Sequence, residues 1–386
     1  MRGEQSVRSV DVVVVGGGIA GVSVAARLPR ELRVVVVERE SSLVHHSTGR
    51  SAAVLVPGLG GGVFSALTDV GLETLDNPDS EFSEVSFLSP RGLLTANVAG
   101  DDVEPPSEDI SNSRLGQVER VGFDVVVEMA PWVDLDSVES VTFQPDVSDL
   151  EVAGLHQAYV REARRNSVDI VRECEVVELA RTGTTWRVTT STEEYETPVV
   201  VNAAGAWGDV VAGRAGVSPV GLIPKRRTAF TVPTPGVFDG PMLISSRDDF
   251  YAKPEAGEQL LLSPMDQTPV EPSDVRHEEI DVAMTIEAAQ PFVRNELRSV
   301  RTAWAGLRVF TPDQNPVIGW SEHDGFFWLC GQGGTGIQSA PGAADCAVGL
   351  IIDGVVPGRH LEAGLDPAAI DPLRFQNGRD GGRLQG

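Results

Sequence analysis

The chain has 386 residues, of which 41% are hydrophobic and 23% are charged, and its formal net charge is −25. This is the composition of a globular protein long enough for more than one domain. The acidic charge argues against binding of nucleic acid or anionic lipid, since both need a basic surface. The sequence has no stretch apolar enough for a membrane span and no signal-peptide core at its start, so we expect a cytoplasmic protein. The three cysteines are too scattered for a disulfide framework or a zinc site, and we expect buried thiols and no metal.

The first elements of the chain form a β–α–β pattern. Residues 10–15 are an apolar, β-branched run ended by glycines, which predicts a buried strand. We expect a helix over 19–28, ended by Pro29, and a second buried strand over 33–38. Continuous apolar strands of this kind are typical of a parallel sheet that is covered on both faces.

A dinucleotide-binding motif lies between the first strand and the helix. Gly16, Gly18 and Gly21 occupy the three glycine positions of G-x-G-x-x-G, and Glu38 stands at the end of the second strand. The glycines allow a tight turn, a close approach of a diphosphate and close packing of the helix on the sheet. The helix N-terminus supplies N–H groups for the phosphates, and the acid accepts hydrogen bonds from a ribose.

The rest of the chain alternates predicted strands and helices with Pro-rich turns. Residues 100–116 are acidic and rich in proline and serine, which indicates a surface loop, and we expect the tail after residue 372 to be disordered. We expect a helix over 149–165 with Asp149 as its N-cap. The other predicted elements are strands over 171–179, 184–190, 197–202 and 326–330, a polar helix near 278–290 and a helix over 337–352.

Two further segments favour FAD over a nicotinamide dinucleotide, which the glycine motif alone does not separate. Residues 201–207 are a strand leading into a turn of small residues, similar to the second nucleotide-contacting segment of flavoproteins with two dinucleotide folds. Residues 331–337 form a glycine turn whose N–H groups are suited to stabilise negative charge on a reduced flavin. Nucleotide-binding pieces spread along the chain in this way are typical of flavoproteins.

Five blocks of sequence together resemble one family. They lie in matching order at 46–53, 225–227, 250–254, 304–308 and 332–338. The chain, from about residue 10 to about residue 350, resembles the D-amino-acid oxidase/dehydrogenase superfamily of FAD enzymes. Within it, the resemblance is strongest to the D-arginine dehydrogenases of bacteria.

The resemblance implies a composite α/β fold with α+β character. A Rossmann-like FAD-binding domain would be built from three chain segments, with an inserted substrate domain that has a mixed or antiparallel sheet. The expected FAD-binding segments are 8–85, 146–216 and 301–371. The expected substrate-domain segments are 86–145 and 217–300, and a flexible tail would cover 372–386.

The resemblance also implies where FAD would bind. The segment 46–53 would pass beside the flavin, and the backbone of Val176 would contact the adenine. Some relatives attach FAD covalently to a histidine at the position of Ser51, so we expect non-covalent FAD here. The residues expected to contact the cofactor are Gly16, Gly18, Ile19, Ala20, Gly21, Glu38, Arg39, Ser47, Thr48, Arg50, Ser51, Ala52, Val176, Ala204, Gly205, Trp207, Gly333, Gly334, Thr335, Gly336, Ile337 and Gln338.

The resemblance assigns Arg227 and Arg308 to the substrate carboxylate, with Tyr251 assisting. A guanidinium suits this role because it pairs with a carboxylate through two parallel hydrogen bonds. The adjacent Arg226 leaves open which of the two neighbours points inward, and a structural salt bridge is the alternative for each arginine. His46 is a candidate base, but a structural or solvent-facing imidazole beside a Ser-Thr-Gly turn fits better.

The expected side-chain pocket departs from the D-arginine type, which lines it with polar and acidic groups. The matching positions here, Val54, Leu59 and Leu93, are apolar, and a buried guanidinium without a partner costs several kcal/mol. The alternative is that Leu59 or Leu93 belongs to the core; Glu84 is expected on the surface. The expected pocket residues are Val54, Leu59, Leu93, Met242, Ile244 and Thr335.

These features predict FAD-dependent oxidative deamination of a small amino acid. We expect a D-amino acid with an apolar side chain, and hydride transfer from Cα to flavin N5 giving an imino acid and then a 2-oxo acid. Alternatives on the same fold are oxidation of another amine, an N-methyl or cyclic amino acid or a 2-hydroxy acid, for example in secondary metabolism. An alternative of another class is a flavin-bearing electron-transfer or scaffold subunit. Oxygen, a quinone and a carrier protein all remain open as electron acceptor.

Overall fold

A six-stranded sheet forms the centre of the computed structural model, which describes residues 7–98 and 116–376. Neighbouring strands are parallel except at one edge, where Val317–Trp320 runs antiparallel. In spatial order the strands are Asp169–Val171, Val34–Val37, Val12–Val15, Val199–Asn202, Phe326–Cys330 and Val317–Trp320. The sheet is therefore assembled from three separate stretches of the chain.

The valine runs of this sheet are buried on both faces. Val12 and Val14 pack against helices, whereas Val13 and Val15 pack toward a second, four-stranded sheet, because side chains alternate along a strand. The covering helices are Ile19–Arg27, Val152–Arg165 and Ala340–Ile352. The four-stranded sheet has the order Arg8–Ser9, Glu194–Thr197, Thr185–Thr190 and Val176–Thr182.

A sheet of nine strands forms the second large unit. Its longest strands, Ile223–Pro233 and Thr302–Phe310, pair antiparallel along their whole length, and the helix Glu279–Ala289 contacts the same sheet. From one edge the strands are Thr268–Pro269, Ile223–Pro233, Gln259–Ser263, Tyr251–Glu255, Met242–Ser245, Leu93–Val98, Val138–Gln144 and Glu119–Val121, with Thr302–Phe310 also paired to Ile223–Pro233. All neighbours are antiparallel except Met242–Ser245 with Leu93–Val98.

The remaining elements are short. A three-stranded sheet joins Val54–Leu55, Ser148–Leu150 and Leu88–Pro90. The other α-helices of the described residues are Gly61–Asp76, Phe123–Met129, Gly208–Arg214, Gly358–Glu362 and Pro367–Ile370. Turns of 3₁₀-helix cover Thr48–Arg50, Gly205–Trp207, Gln290–Phe292 and Pro372–Phe375. Within residues 7–98 and 116–376, no helix has both the length and the apolarity needed to span a membrane.

Most predicted elements are observed, with two corrections. Asp149 is not a helix cap: it lies in a strand opposite Val54, and Glu151 caps the helix by accepting from Ala153 N at 3.2 Å. The tail begins with an ordered turn, because Arg374 pairs with Asp313 at 2.7 Å. The predicted loop at 100–116 and the rest of the tail lie outside the described residues, apart from residue 116. The predicted domain limits stay a prediction.

Candidate active site

A cavity extends from the carboxyl ends of the parallel strands to the face of the nine-stranded sheet. Val15, Val37 and Ala203 line it at the strand ends, and Tyr251 and Arg308 line it on the nine-stranded sheet. In open α/β sheets ligands bind outside the carboxyl ends of the strands. The cavity therefore lies where this architecture places a ligand.

The glycine motif forms one end of this cavity. Gly16 has a φ of +108°, and a Cβ on Gly21 would lie 1.9 Å from Gly16 O, so the turn needs both glycines. The helix Ile19–Arg27 has no side-chain cap, although Ile19 N–H donates to Thr48 Oγ1 at 3.1 Å. Its open N-terminus lines the cavity and suits the phosphates of a dinucleotide.

Glu38 borders the glycine turn. Its carboxylate accepts from the N–H groups of Gly17 and Glu40, each at 2.8 Å, and burial raises its pKa. A carboxylate has about four acceptor sites, so two remain for other donors. This arrangement fits the hydroxyl groups of a ribose.

Aromatic and cationic side chains form the rim of the same end. The Arg39 guanidinium lies 4.3 Å from the centroid of Trp207, and the ring of His46 lies 4.4 Å from it. His46 Nε2 is 2.9 Å from Glu40 Oε1, and burial lowers the pKa of His46. The imidazole is thus held in place by its neighbours.

Arg227 and Arg308 lie on the nine-stranded sheet and line the same cavity. Arg227 is opposite Gly306 and Arg308 is opposite Lys225 in the antiparallel register. Since side chains alternate along a strand, Arg227 and Arg308 share one face and Arg226 lies on the other. Arg226 instead pairs with carboxylates, namely those of Glu278 and, at 2.7 Å, Asp281.

The two arginines on the cavity face lack adequate counter-charge, Arg227 being buried and Arg308 half-buried. Arg227 Nε donates to the main-chain oxygen of Asp266 at 2.9 Å, and the Asp266 carboxylate is 3.9 Å away. Within the described part of the chain, the Arg308 guanidinium has no hydrogen-bond or ion-pair partner. Burial lowers the pKa of both groups, that of Arg227 to about 10 with Arg308 adding to the shift. An unpaired buried charge is costly, so this pair favours an anionic ligand.

A family model described as "FAD dependent oxidoreductase" (DAO) matches residues 11–350. The chain belongs to this family. It is 26% identical to hydrogen cyanide synthase subunit HcnC of Pseudomonas aeruginosa, over 96% of this chain and 97% of that protein. Among solved structures, L-proline dehydrogenase from P. horikoshii has a TM-score of 0.80 at 20% identity, covering 97% of this chain and 99% of its own. Glycine oxidase from Geobacillus kaustophilus has a TM-score of 0.79 at 18% identity, covering 98% and 100%.

Membership confirms three predictions: the composite FAD-enzyme fold, FAD as cofactor and an FAD-dependent oxidoreductase activity. The glycine turn and the spare acceptor capacity of Glu38 fit this dinucleotide. Most residues predicted for the cofactor line the cavity. They are Gly16, Gly18, Ile19, Ala20, Glu38, Arg39, Ser47, Thr48, Arg50, Ser51, Ala52, Val176, Ala204, Gly205, Trp207, Gly333, Gly334, Gly336 and Ile337.

Three predicted contact residues do not line the cavity. Gly21 lies beneath the glycine turn. Thr335 is buried and its hydroxyl donates to Gln332 O at 3.2 Å. The Gln338 side chain accepts from Val56 N at 3.1 Å and donates to Thr68 Oγ1 at 3.2 Å, so its polar atoms are engaged within the protein.

The predicted apolar residues are only partly brought together. Met242 packs in one buried cluster with Tyr251, Leu261 and Val147, against which Val54, Leu93 and Ile244 lie partly buried. Tyr251 belongs to both this cluster and the cavity lining, so the cluster adjoins the arginine pair. Leu59 is 44% exposed and, like Thr335, lies apart from the cluster. Glu84 is exposed, as predicted.

The sequence did not identify several residues at the site. Arg214, Leu43 and His45 also line the cavity, and Asp266 orients Arg227 through its main chain. They come from turns and helix ends without a motif, and only the tertiary fold brings them together. The three cysteines are buried free thiols, as predicted.

Proposed function

We propose that this enzyme oxidises a small α-amino acid with an apolar side chain, of D configuration, to the corresponding imino acid. Water then hydrolyses the imino acid to a 2-oxo acid and ammonia. The observation that carries the proposal is the Arg308 guanidinium, which is half-buried beside Arg227 and has no protein partner among the described residues. A substrate carboxylate would provide the missing counter-charge through charge-assisted hydrogen bonds.

The roles of the side chains follow from this placement. Arg227 and Arg308 would hold the carboxylate, and the Tyr251 hydroxyl would add a donor from another strand of the same sheet. FAD, when bound, supplies the acceptor for the hydride that leaves Cα. As that C–H bond breaks, the lone pair of a neutral substrate amine forms the C=N bond. The step therefore needs no side-chain base, in keeping with the engaged state of His46.

The side-chain preference is supported by the apolar cluster beside the clamp. Met242, Leu261 and Val147 are buried there, whereas Val54 and Ile244 keep some exposed surface that a ligand could cover. Each methylene of a substrate side chain that is buried in this cluster would stabilise the bound substrate by about 0.8 kcal/mol. The D configuration rests on the sequence resemblance alone.

The main alternative of another class is a subunit that only relays electrons, and one relative is named as a subunit. A pure relay has no use for two arginines in the cavity wall without counter-charge. The arginine pair therefore favours an enzyme with its own carboxylate substrate.

The test is anaerobic mixing of the purified holoenzyme with a panel of possible substrates. The panel contains D- and L-amino acids, glycine, proline, N-methyl amino acids, 2-hydroxy acids and amines without a carboxylate. Apolar D-amino acids should bleach the flavin absorption band fastest. Bleaching only by amines that lack a carboxylate would disprove the clamp, and bleaching by no member would favour the relay subunit.

A further inference from the structure

One strand of the nine-stranded sheet changes register with its neighbours at the arginine clamp. Phe230 is opposite Leu262, whereas Arg226 is opposite Thr268. Four steps along this strand therefore face six steps along the chain opposite it. The two extra residues form a bulge within the segment 263–267. The bulge lies beside the residues between Arg226 and Phe230, so it interrupts the ladder of hydrogen bonds next to the clamp.

Side chains replace the ladder hydrogen bonds that the bulge removes. Thr228 N–H donates to Asp266 Oδ1 at 2.7 Å, and the Thr228 hydroxyl donates to Asp266 Oδ2 at 3.1 Å. The Ser263 hydroxyl donates to Thr228 O at 2.7 Å. Thr228 and Ser263 are fully buried, so the main-chain groups of Thr228 are shielded from water and need these partners. Both oxygens of the Asp266 carboxylate are thus bound to the residue that follows Arg227.

The bulge also places a main-chain oxygen against Arg227. The carbonyl of Asp266 accepts from Arg227 Nε at 2.9 Å, whereas the Asp266 carboxylate is 3.9 Å from the same nitrogen. A hydrogen bond at Nε fixes the plane of the guanidinium, and the two terminal nitrogens carry the other four donors of the group. Met265, just before Asp266, has a φ of +57°, which side chains disfavour. Such a conformation persists only where surrounding contacts hold the backbone.

We propose that Asp266 is a positioning residue of the clamp, which holds the bulge so that Arg227 presents its terminal nitrogens to the substrate carboxylate. This inference rests on the proposed function, since it needs a carboxylate at Arg227 and Arg308. Two parallel hydrogen bonds form only when the guanidinium is held in the plane of the carboxylate. The negative charge of Asp266 acts on both arginines and weakens their attraction for an anion. Its hydrogen bonds and its charge therefore have opposite effects on substrate binding.

Substitutions at Asp266 separate these two effects. Asp266→Ala removes both, whereas Asp266→Asn removes the charge and keeps an oxygen for Thr228 N–H and a donor for the Thr228 hydroxyl. For the substrate that reduces the flavin fastest, Asp266→Ala should raise KM at least about tenfold with a much smaller change in kcat, because Arg227 would be misplaced. Asp266→Asn should restore KM to the unmodified value or below it. Gln267→Ala, at the exposed neighbour that accepts from Lys225, is the matched control and should change neither constant.

A second measurement needs no turnover. Propanoate, a carboxylate without an amine, is titrated into the FAD-loaded enzyme by calorimetry, and its Kd should follow the same order as KM in these variants. Asp266→Glu keeps the charge but displaces the bulge, so it should weaken binding like Asp266→Ala and replaces that variant if it does not fold. Unchanged KM and Kd in these two variants, or equal weakening in Asp266→Asn, would overturn the positioning role. Lack of propanoate binding by the unmodified enzyme would instead overturn the clamp and the proposed function.

Discussion

Arg226 and Arg227 are adjacent in sequence but have opposite environments, and this contrast provides a direct test of the proposed clamp. Arg226 pairs with Glu278 and Asp281 on one face of the sheet. Arg227 and Arg308 lie on the other face, in the cavity and without sufficient counter-charge. Ion pairs on the first face contribute to folding, whereas on the second face the substrate would provide the counter-charge.

We expect Arg308→Ala to lower kcat/KM. The corresponding loss of transition-state stabilisation should be about 2–3 kcal/mol, which is the contribution of a charge-assisted contact. FAD content should be unchanged, and thermal stability should hold or rise because the variant removes an unpaired, partly desolvated charge. Arg226→Ala is the matched control: it should lower Tm with a much smaller effect on kcat/KM. Loss of FAD or of folding in Arg308→Ala would mean that Arg308 is structural.

Ser51 determines how the cofactor should be attached. It lies at the cavity wall, and a serine hydroxyl cannot take the place of the histidine that a covalent flavin link at this position would need. Acid precipitation should therefore release all of the FAD into the supernatant. Flavin absorbance that stays with the protein pellet would show a covalent bond.

Protonation of His156 should make the stability of the folded chain depend on pH. Its Nε2 is 3.0 Å from Gly17 O, and burial lowers its pKa below the ordinary value of about 6.5. Below about pH 6.5 the unfolded chain then binds more protons at this residue than the folded chain, so stability falls as the pH falls. His156→Gln should flatten this slope in Tm against pH, whereas His323→Gln should keep it. An equal slope in all three proteins would show that His156 does not contribute.

At the scale of elements, the sequence predicted what depends on local patterns. The valine runs, the glycine motif and Glu38 specify the β–α–β unit, because periodicity and turn geometry are read within a few residues. The prediction that Asp149 is a helix N-cap was wrong, because Asp149 pairs with Val54 and lies in a strand. The helix predicted from residue 337 begins at Ala340, after the glycine turn.

The candidate site was less predictable because it depends on strand register and tertiary packing. The choice between Arg226 and Arg227 needed the pairing of Arg227 with Gly306, which adjacent residues cannot reveal. Leu59 was expected in the substrate pocket because its glycine-rich segment resembles a pocket segment of the family. It is instead exposed in the turn before the helix Gly61–Asp76. Asp266 carries no motif and reaches Arg227 only through the fold.

The helix Ile19–Arg27 allows a test of the nucleotide turn at the level of packing. A Cβ on Gly21 would lie 1.9 Å from Gly16 O. This is a backbone atom, so it cannot rotate away to relieve the clash as a flexible side chain could. Gly21→Ala should therefore cost several kcal/mol in stability or abolish FAD binding. Gly213→Ala, in a helix with nothing within 4 Å of the added Cβ, should be neutral or stabilise by up to about 1 kcal/mol. Normal FAD affinity and stability in Gly21→Ala would contradict the close approach.

At the scale of the whole molecule, two electrostatic effects oppose each other. The net charge of −25 attracts cationic substrates. The acidic groups also repel one another, which destabilises the compact state. Salt screens both effects over about 8 Å at physiological ionic strength. Contacts inside the cavity are short and buried, so they are much less screened and should decide the substrate preference.

We therefore predict that D-leucine or D-methionine is oxidised with a far higher kcat/KM than D-arginine. An apolar side chain gains about 0.8 kcal/mol for each buried methylene, whereas a guanidinium buried beside Met242 and Leu261 loses several kcal/mol without a partner. Raising the salt concentration should lower kcat/KM for D-arginine more than for D-leucine, because only the cation is attracted over a distance. The measurement is kcat/KM for both substrates from low to physiological ionic strength. A clear D-arginine preference would contradict the apolar pocket and point to Asp248, whose negative charge already acts on Arg227. Asp248→Asn should then remove that preference, whereas a change at the exposed Glu84 should not.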